Sequence, residues 1–275
     1  MNEREIKRKV FNIVRDLENP MLEARVIIKS VLGESDVEYI LNDERKVEKE
    51  DEERILQAAL LRAGGMPMSY ITKEKEFYGI DFFVDESVLI PRPETELLVD
   101  EAISLIDKYN YSSVLDLCTG SGAIGIAIGK NRKVSLTLSD ISESALEIAR
   151  KNYGKIIGEG GAFVLSDLFG NINGRFDMIV TNPPYIAKKW YEGLSREVKC
   201  EPCTALISPG DDGLDIISRI IEEAPMHLGK GGAILIESDY RQTGEIRRML
   251  DDAGFSEVWV VKDLAGKNRH TCAIY

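Results

Sequence analysis

A glycine-rich segment and an acidic residue have the spacing of a cofactor site. Gly120, Gly122 and Gly125 form the pattern G-x-G-x-x-G directly after an apolar stretch that ends at Leu117, and Asp140 ends the next apolar stretch. The glycines let the backbone approach a ligand closely, and a carboxylate about twenty residues later accepts hydrogen bonds from both hydroxyls of a ribose. This pattern predicts a binding site for an adenosine-containing cofactor.

The residue before the glycine turn distinguishes two adenosine cofactors. Asp116 lies at the carboxyl end of the first strand, where its negative charge would repel the pyrophosphate of NAD. The same charge would attract the ammonium group of a methionine moiety. The sequence therefore favours S-adenosylmethionine over NAD. For Asp140, the competing interpretation is a cap of the following helix, a role that Ser142 can also fill.

A rigid turn follows another strand of the same pattern. The apolar stretch Phe176–Val180 is typical of a buried strand, and Asn182, Pro183, Pro184 and Tyr185 come after it. Both prolines lack a backbone donor and fix their φ angles, so the sheet cannot continue through them. Ligands of such folds bind at this rim of the sheet. The turn is therefore predicted to present its polar groups to a ligand.

The turn Asn182–Tyr185 resembles that of amino-group N-methyltransferases, and this resemblance implies what the turn would hold. An amide nitrogen is a poor nucleophile, and in such an enzyme it must be aimed at the methyl carbon of the donor. The side-chain carbonyl of Asn182 and the backbone carbonyl of Pro183 can accept both amide hydrogens and stabilise positive charge on the nitrogen. Tyr185 offers a ring against which a planar amide packs. The competing interpretation of Asn182 is a turn former.

The elements that must position these residues alternate between strands and helices. Helical patterns at 95–108, 121–130, 142–154, 212–227 and 243–253 separate most of the predicted strands. Such alternation is typical of an α/β protein with a mostly parallel sheet covered on both faces. The last two strands are too close in sequence for a helical crossover, so an antiparallel pair is expected at one edge. The predicted strands are Ser113–Leu117, Val134–Ser139, Ala162–Leu165, Phe176–Thr181, Gly232–Glu237, Val258–Val261 and Thr271–Ile274.

The sequence predicts two domains joined by a hairpin. Residues 1–72 have helical periodicity, with start signals at Asn2 and Ser35 and stop signals at Gly33 and Gly64. Residues 73–92 are rich in aromatic and β-branched residues around a glycine, which favours a β-hairpin linker. Residues 93–275 form the α/β domain. We expect the small helical domain to recognise a substrate.

Several motifs together resemble one family. The turn Asn182–Tyr185 is similar to that of amino-group N-methyltransferases, which act on adenine, guanine or glutamine nitrogens. The motifs that narrow the choice are VLIPRPETELLV (88–99), LDLCTGSGAIGIA (115–127), TNPPYI (181–186), EPCTALISPGDDGLD (201–215) and DLAGKNRH (263–270). With the helical N-terminal region, they identify the chain as a member of the HemK/PrmC family, the peptide chain release factor glutamine methyltransferases.

The resemblance implies a class I S-adenosylmethionine-dependent methyltransferase, Rossmann-like, with seven strands and an N-terminal helical bundle. Its implied substrate is the glutamine N5 in the Gly-Gly-Gln motif of class 1 release factors. The alternatives are a ribosomal-protein glutamine or an amino group of nucleic acid. The implied catalytic residues are Asn182, Pro183 and Tyr185, and Pro184 and Arg92 join them in substrate binding. The implied cofactor-binding residues are Asp116, Cys118, Thr119, Gly120, Ser121, Gly122, Asp140, Ile141, Asp167, Leu168 and Asn182.

Four of these positions carry qualifications. Cys118 stands where the family more often has glycine, and its side chain is expected to crowd the methionine moiety. Leu168 stands where an aromatic residue flanks the adenine in some members. Asp167 is expected at the adenine amino group, with a turn cap as the alternative. A surface arginine in an extended segment is the alternative for Arg92.

Composition excludes several other classes of protein. The net charge of −12 argues against stable nucleic-acid binding and suits a basic protein partner. No apolar run of membrane-spanning length and no signal region are present, so we expect a cytoplasmic protein. Cys200 and Cys203 have metal-knuckle spacing, but no second pair accompanies them, so no metal site is predicted. A non-catalytic nucleotide-binding module or an NAD oxidoreductase would leave the Asn-Pro-Pro-Tyr turn without a role.

Overall fold

The structure is a computed structural model that describes all residues from Met1 to Tyr275. The chain forms two compact units: Met1–Glu74 with Ser195–Cys200, and Lys75–Leu194 with Glu201–Tyr275. The hairpin expected as a linker therefore lies in the second unit, because its Phe77 and Phe82 are buried in that unit's core. The excursion of Ser195–Cys200 into the first unit has no counterpart in the sequence pattern.

The first unit is a small helical bundle. The predicted start signals form capping boxes: Glu5 N–H donates to Asn2 at 3.0 Å, and Glu38 N–H donates to Ser35 at 3.3 Å. Gly33 ends the second helix with φ +68°. The core contains Ile6, Val10, Ile27, Ile28 and Ile55. The helices are α1 Glu3–Val14, α2 Pro20–Leu32, α3 Asp36–Leu41, α4 Lys49–Ala63 and α5 Met68–Thr72.

A buried arginine anchors the excursion within this unit. Arg62 is 7% exposed, and its guanidinium donates to both carboxylate oxygens of Glu23 at 2.7 and 2.8 Å. Its remaining terminal nitrogen donates to Glu197 at 2.7 Å. These ion pairs raise the pKa of Arg62 above its usual value. The bidentate pair with Glu23 fixes the orientation of the guanidinium. The third hydrogen bond, to Glu197, then links the segment Ser195–Cys200 to the helical bundle.

The second unit alternates strands and helices, with a hairpin at its beginning. A short 3₁₀ helix, Pro93–Thr95, precedes α6. The strands are β1 Glu74–Phe77, β2 Ile80–Phe83, β3 Ser113–Leu117, β4 Ser135–Asp140, β5 Ala162–Leu165, β6 Phe176–Thr181, β7 Leu228–Glu237, β8 Glu257–Lys262 and β9 Asn268–Ile274. The helices are α6 Glu96–Tyr109, α7 Ala123–Asn131, α8 Glu143–Ile156, α9 Lys188–Tyr191, α10 Cys203–Leu206, α11 Asp215–His227 and α12 Thr243–Asp252.

The large sheet has the strand order β5-β4-β3-β6-β7-β9-β8. Five neighbouring strands, β5, β4, β3, β6 and β7, run parallel to one another. Strand β9 is antiparallel to both β7 and β8. This topology confirms the predicted α/β fold with seven strands and an antiparallel pair at one edge. The strand order reverses between β3 and β6, so a crevice forms outside their carboxyl ends.

Strand β3 contributes side chains to two cores. Val114 packs on the face covered by α6 and α7, whereas Leu115 and Leu117 pack on the face covered by α11 and α12. This alternation has the period of 2 expected of a strand buried on both faces. It places the side chain of Asp116 on the same face as Val114, toward α6 and α7.

No helix of the chain has the length and apolar character needed to cross a lipid bilayer.

Candidate functional site

A cavity of about 270 Å³ lies at the carboxyl ends of the parallel strands. Gly120 follows β3, Asp140 ends β4, Asp167 follows β5 and Asn182 follows β6, and all four residues line the cavity. Parallel pairing brings them together, since Leu117 lies opposite both Ser139 and Thr181 in the sheet. The crevice at a reversal of strand order is where ligands of open α/β sheets bind.

Three alternate residues of the glycine turn have positive φ angles. Cys118, Gly120 and Gly122 have φ values of 60°, 55° and 82°. Glycine adopts these values without steric cost, whereas Cys118 is held in a conformation that L-residues seldom adopt. A Cβ on Gly122 would also lie 2.6 Å from Ile126. The unusual φ of Cys118 is a physical reason for the glycine that the family more often has at this position.

Asp116, at the end of β3, holds the glycine turn through hydrogen bonds. Its side chain is fully buried, and one oxygen accepts from the Thr119 hydroxyl at 2.6 Å and from Gly125 N–H at 2.9 Å. The other oxygen has no hydrogen-bond partner in the protein. Burial raises the pKa of Asp116 to about 7.

This placement differs from the expectation for Asp116. The carboxylate was expected to face a methionyl ammonium group, yet Asp116 is absent from the cavity lining. Its side chain turns toward α7 because it shares the face of Val114. Gly125 makes room for it, since a Cβ there would lie 2.9 Å from the carboxylate. In this geometry the third glycine of the pattern serves helix–strand packing.

Asp140 joins the glycine turn to the cavity. Its two oxygens accept from Gly120 N–H at 2.8 Å and from Ser142 N–H at 3.0 Å. Burial raises its pKa above the usual value. Ser142, and not Asp140, caps α8 by accepting from Ala145 N–H at 3.2 Å. Each carboxylate oxygen can accept a second hydrogen bond, so Asp140 fits the paired hydroxyls of a ribose.

The remaining predicted cofactor contacts surround this carboxylate. Thr119, Ser121 and Cys118 line the cavity, as do Ile141, which is 63% exposed, and Leu168. These side chains supply the mixture of apolar wall and polar edges that small-molecule sites have. Burial raises the pKa of the Cys118 thiol, so a neutral sulfhydryl faces the cavity.

Asp167 and Leu168, the two residues expected at the adenine, follow β5 and line the cavity. Asp167 lines the cavity and also pairs with Arg219 at 3.2 Å. Leu168 has φ +47° and is buried in the core beneath the cavity. The carboxylate of Asp167 can accept from an exocyclic amine while it keeps its arginine partner.

The Asn-Pro-Pro-Tyr turn presents two acceptors that nothing in the protein satisfies. Neither the side chain of Asn182 nor the backbone carbonyl of Pro183 has a hydrogen-bond partner in the structure. Asn182 and Pro184 line the cavity, whereas Pro183, which was also expected in the site, is buried and is not part of the lining. Acceptors that no protein group uses are available to a ligand in the cavity.

Tyr185 is turned away from the cavity. Its ring packs against the core of the α11 and α12 face, and its hydroxyl donates to Glu237 at 3.4 Å. Its backbone carbonyl accepts from Gln242 at 2.9 Å. Burial raises the pKa of Tyr185. This orientation differs from the expectation that the ring lies flat against a substrate amide, because the inward hydroxyl partner holds the phenol in the core.

Arg92 is likewise occupied by a protein partner. Its guanidinium donates to Glu201, whose side chain is 1% exposed, and Glu201 also accepts from Ile90 N–H at 3.2 Å. The neighbours Pro91 and Pro202 both line the cavity. The ion pair therefore links two walls of the site, an arrangement that the sequence does not show because the partners lie far apart in the chain.

A buried asparagine is a further residue that sequence reasoning missed. Asn152 on α8 is fully buried; its amide donates to the carbonyls of Phe83 and Ser121 at 2.9 and 2.8 Å and accepts from Phe83 N–H at 2.8 Å. It ties the hairpin to the glycine turn. A single asparagine within a helical pattern gives no signal of such a role.

No group of three or more potential metal ligands forms anywhere in the structure.

Comparison with known proteins assigns both parts of the chain. Residues 94–197 match the family described as "Methyltransferase small domain", and residues 10–72 match the "PrmC N-terminal domain". A "Release factor glutamine methyltransferase" of Buchnera aphidicola is 35% identical over 98% of this chain and 98% of its own length. One of Fusobacterium nucleatum is 38% identical over 91% of this chain and 72% of its own length.

Solved structures agree on the fold. The crystal structure of a methyltransferase from Pyrococcus furiosus matches with a TM-score of 0.53 at 19% identity, covering 82% of this chain and 98% of the other. The cavity, the glycine turn and these relatives make the chain an S-adenosylmethionine-dependent methyltransferase. The chain belongs to the release factor glutamine methyltransferase family.

Proposed function

We propose that this protein transfers a methyl group from S-adenosylmethionine to the side-chain amide N5 of the glutamine in the Gly-Gly-Gln motif of class 1 release factors. The observation that carries the proposal is the pair of unsatisfied acceptors on Asn182 and Pro183, beside a cavity that fits an adenosine cofactor. The similarity to release factor glutamine methyltransferases supports a release factor glutamine as the substrate.

S-adenosylmethionine, when bound, supplies a methyl group on a sulfonium sulfur as the electrophile. The backbone from Cys118 to Gly122 would lie along its methionine portion, and Asp140 would accept from the ribose hydroxyls. Asp167, Ile141 and Leu168 would enclose the adenine. One oxygen of the Asp116 carboxyl has no partner behind the glycine turn, and a cationic ligand nearby would favour the charged form of this group.

The Asn182–Tyr185 turn would orient the nucleophile. The two hydrogens of a primary amide lie in one plane, and the Oδ1 of Asn182 and the carbonyl oxygen of Pro183 can accept one each. Accepting both hydrogens aims the nitrogen along the axis out of that plane and stabilises positive charge that develops there. The methylated nitrogen is strongly acidic and loses its proton late, so no separate general base is required.

Pro183 and Pro184 would keep the acceptors in place. Fixed φ angles reduce the conformations available to the turn, so little entropy is lost when the amide is bound. Arg92 would contribute by holding the wall formed by Pro91 and Pro202, since its charge is already paired with Glu201.

The helical unit would recognise the folded substrate. Residues 1–72 contain no part of the cavity, and remote contacts supply binding energy that a short peptide lacks. The rest of the chain, through residue 275, would carry the chemistry. Release factors act during translation, so the proposal places the enzyme in the cytoplasm.

The nearest alternative substrate is a glutamine of another protein, such as a ribosomal protein. An amino group of DNA or RNA would fit the same acceptors, but a net charge of −12 disfavours a surface that binds phosphates. Fold similarity does not separate these substrates, since function lies in the site.

A direct comparison of substrates tests the proposal. Intact release factor, its Gly-Gly-Gln glutamine-to-alanine variant, DNA and ribosomal RNA are each offered with cofactor labelled on the methyl group. We expect label in intact release factor alone. Label in either nucleic acid, or equal label in the alanine variant, would overturn the assignment of the substrate.

A further inference from the structure

Gln242 is a buried amide that contacts the catalytic turn from outside the cavity. It lies in the loop between β7 and α12 and is 3% exposed. Its Nε2 donates to the carbonyl oxygens of Tyr185 at 2.9 Å and Asp212 at 2.8 Å. Its Oε1 accepts from Asp239 N–H at 3.0 Å. With both donor hydrogens and the acceptor in use, this one side chain joins three loops.

The turn has few other restraints on its backbone. The sheet holds it at Thr181, and a backbone bridge between Ile186 and Ile207 holds it after its last residue. Between these points the two prolines have no N–H to donate. Gln242 makes the side-chain hydrogen bond to the main chain of this stretch, at the carbonyl of Tyr185. The backbone that carries the Pro183 acceptor is therefore restrained on its far side by Gln242.

A glycine shows how closely these loops approach. Gly213 has φ +78°, and a Cβ on it would lie 2.2 Å from the Tyr185 carbonyl oxygen and 2.7 Å from Nε2 of Gln242. Neither a side chain nor a water molecule fits between them. An approach this close makes the position of the Tyr185 carbonyl sensitive to the group that pairs with it.

We propose that Gln242 is a positioning residue for the substrate amide: by holding the Tyr185 carbonyl, it fixes the turn that carries the acceptors of Asn182 and Pro183. Gln242 does not line the cavity, so it acts through the turn and not on the substrate. The inference rests on the proposed function. It deepens that function by adding the loop between β7 and α12 to the parts of the protein that position the substrate amide.

The variant Gln242→Met tests the inference, because it keeps the length of the side chain and removes both donors. Misplacement of a reacting group by about 1 Å costs up to about 100-fold in rate, so we expect kcat for intact release factor to fall about 10- to 100-fold. The KM for release factor and the Kd for S-adenosylmethionine should stay within about twofold of the wild-type values, since Gln242 contacts neither ligand.

Asn131→Asp is the control for loss of an amide donor away from the cavity. Asn131 Nδ2 donates to the Ala127 carbonyl at 2.9 Å, at the end of α7 that is distant from the cavity. The change likewise deletes an amide donor to a backbone carbonyl and places a negative charge at a helix C-terminus, so it should lower the melting temperature. We expect its kcat to remain within about twofold of wild type.

The outcomes separate the two proposals. A wild-type enzyme that fails to methylate release factor overturns the proposed function and, with it, the inference. An active wild type with unchanged kcat in Gln242→Met overturns the inference alone, as does an equal fall of kcat in Asn131→Asp. If Gln242→Met does not fold, Gln242→Asn is measured in the same way, since its amide is one methylene too short to reach both carbonyls.

Discussion

Substitution of Asn182 by alanine removes one of the two acceptors proposed to grip the substrate amide. The side chain of Asn182 makes no hydrogen bond within the protein, so the folded state loses no internal hydrogen bond. The free energy of unfolding should therefore change by no more than about 0.5 kcal/mol. The cost should fall on the reaction, in which Asn182 accepts from a nitrogen that becomes positive.

The expected loss can be derived from the number of acceptors. Deletion of one preorganised polar partner typically lowers kcat by about 10²-fold, equivalent to about 2.7 kcal/mol of transition-state stabilisation. The Pro183 carbonyl remains in Asn182→Ala, so activity should be reduced and not abolished. Affinity for S-adenosylmethionine should stay within about twofold, because Asp140 and the glycine turn are unchanged.

The assay measures initial rates of label transfer to saturating intact release factor, with cofactor affinity from calorimetry. Asn182→Asp is the matched variant, because it keeps an acceptor oxygen at the same position, and it should retain more activity than Asn182→Ala. Near-normal turnover of Asn182→Ala at saturating substrate would refute the reasoning, since the side-chain acceptor would then be dispensable.

Three further changes probe the cofactor site. Asp140→Ala should weaken binding of S-adenosylmethionine by about 1–3 kcal/mol, the cost of losing a charged acceptor; unchanged affinity in a calorimeter would remove Asp140 from the site. Cys118→Gly should be more stable than Cys118→Ala by about 1 kcal/mol in chemical denaturation, because both delete the thiol but only glycine accepts φ +60° without strain; equal stabilities would contradict this. Burial raises the pKa of Asp116 to about 7, above its unfolded value of about 4, so the folded state favours the protonated carboxyl. The wild type should then lose stability relative to Asp116→Asn as pH rises from about 4 to 7, and parallel stability curves in that interval would show that the shift is absent.

The parts of the site that the sequence predicts are those formed by contiguous residues. The glycine turn, Asp140 and the Asn182–Tyr185 turn each follow a strand whose apolar pattern is clear, and parallel pairing brings all strand ends to one rim. The parallel direction of most strands follows from the alternation of strands and helices, whereas their order in the sheet is known only from the structure. The helical unit and its capping boxes are also predictable, since both signals are local.

The direction of a side chain and its pairing with a residue distant in the chain are harder to predict from the sequence. The inward position of Asp116 follows from strand alternation, because Leu115 and Leu117 occupy the opposite face. The inward position of Tyr185 depends on Glu237, which is remote in the chain, and on the hydroxyl's need for a buried partner. No local pattern indicates such a partner.

The same limit applies to the residues that support the site. Glu201 pairs with Arg92 across 109 positions of the chain, and Glu197 reaches Arg62 across 135. Each is an ordinary acid in a polar segment when the sequence is considered alone. Only the fold shows that these charges join separate loops, which is why Ser195–Cys200 was not predicted to lie in the helical unit.

The position of the transferred methyl group tests the central claim most directly. Purified enzyme is incubated with S-adenosylmethionine and intact class 1 release factor, and the product is digested and sequenced by tandem mass spectrometry. We predict a single added methyl group on the side-chain nitrogen of the Gly-Gly-Gln glutamine, in a reaction that depends on Asn182. A methyl group on any other residue, or an unmodified release factor beside methylated ribosomal protein or RNA, would contradict the account.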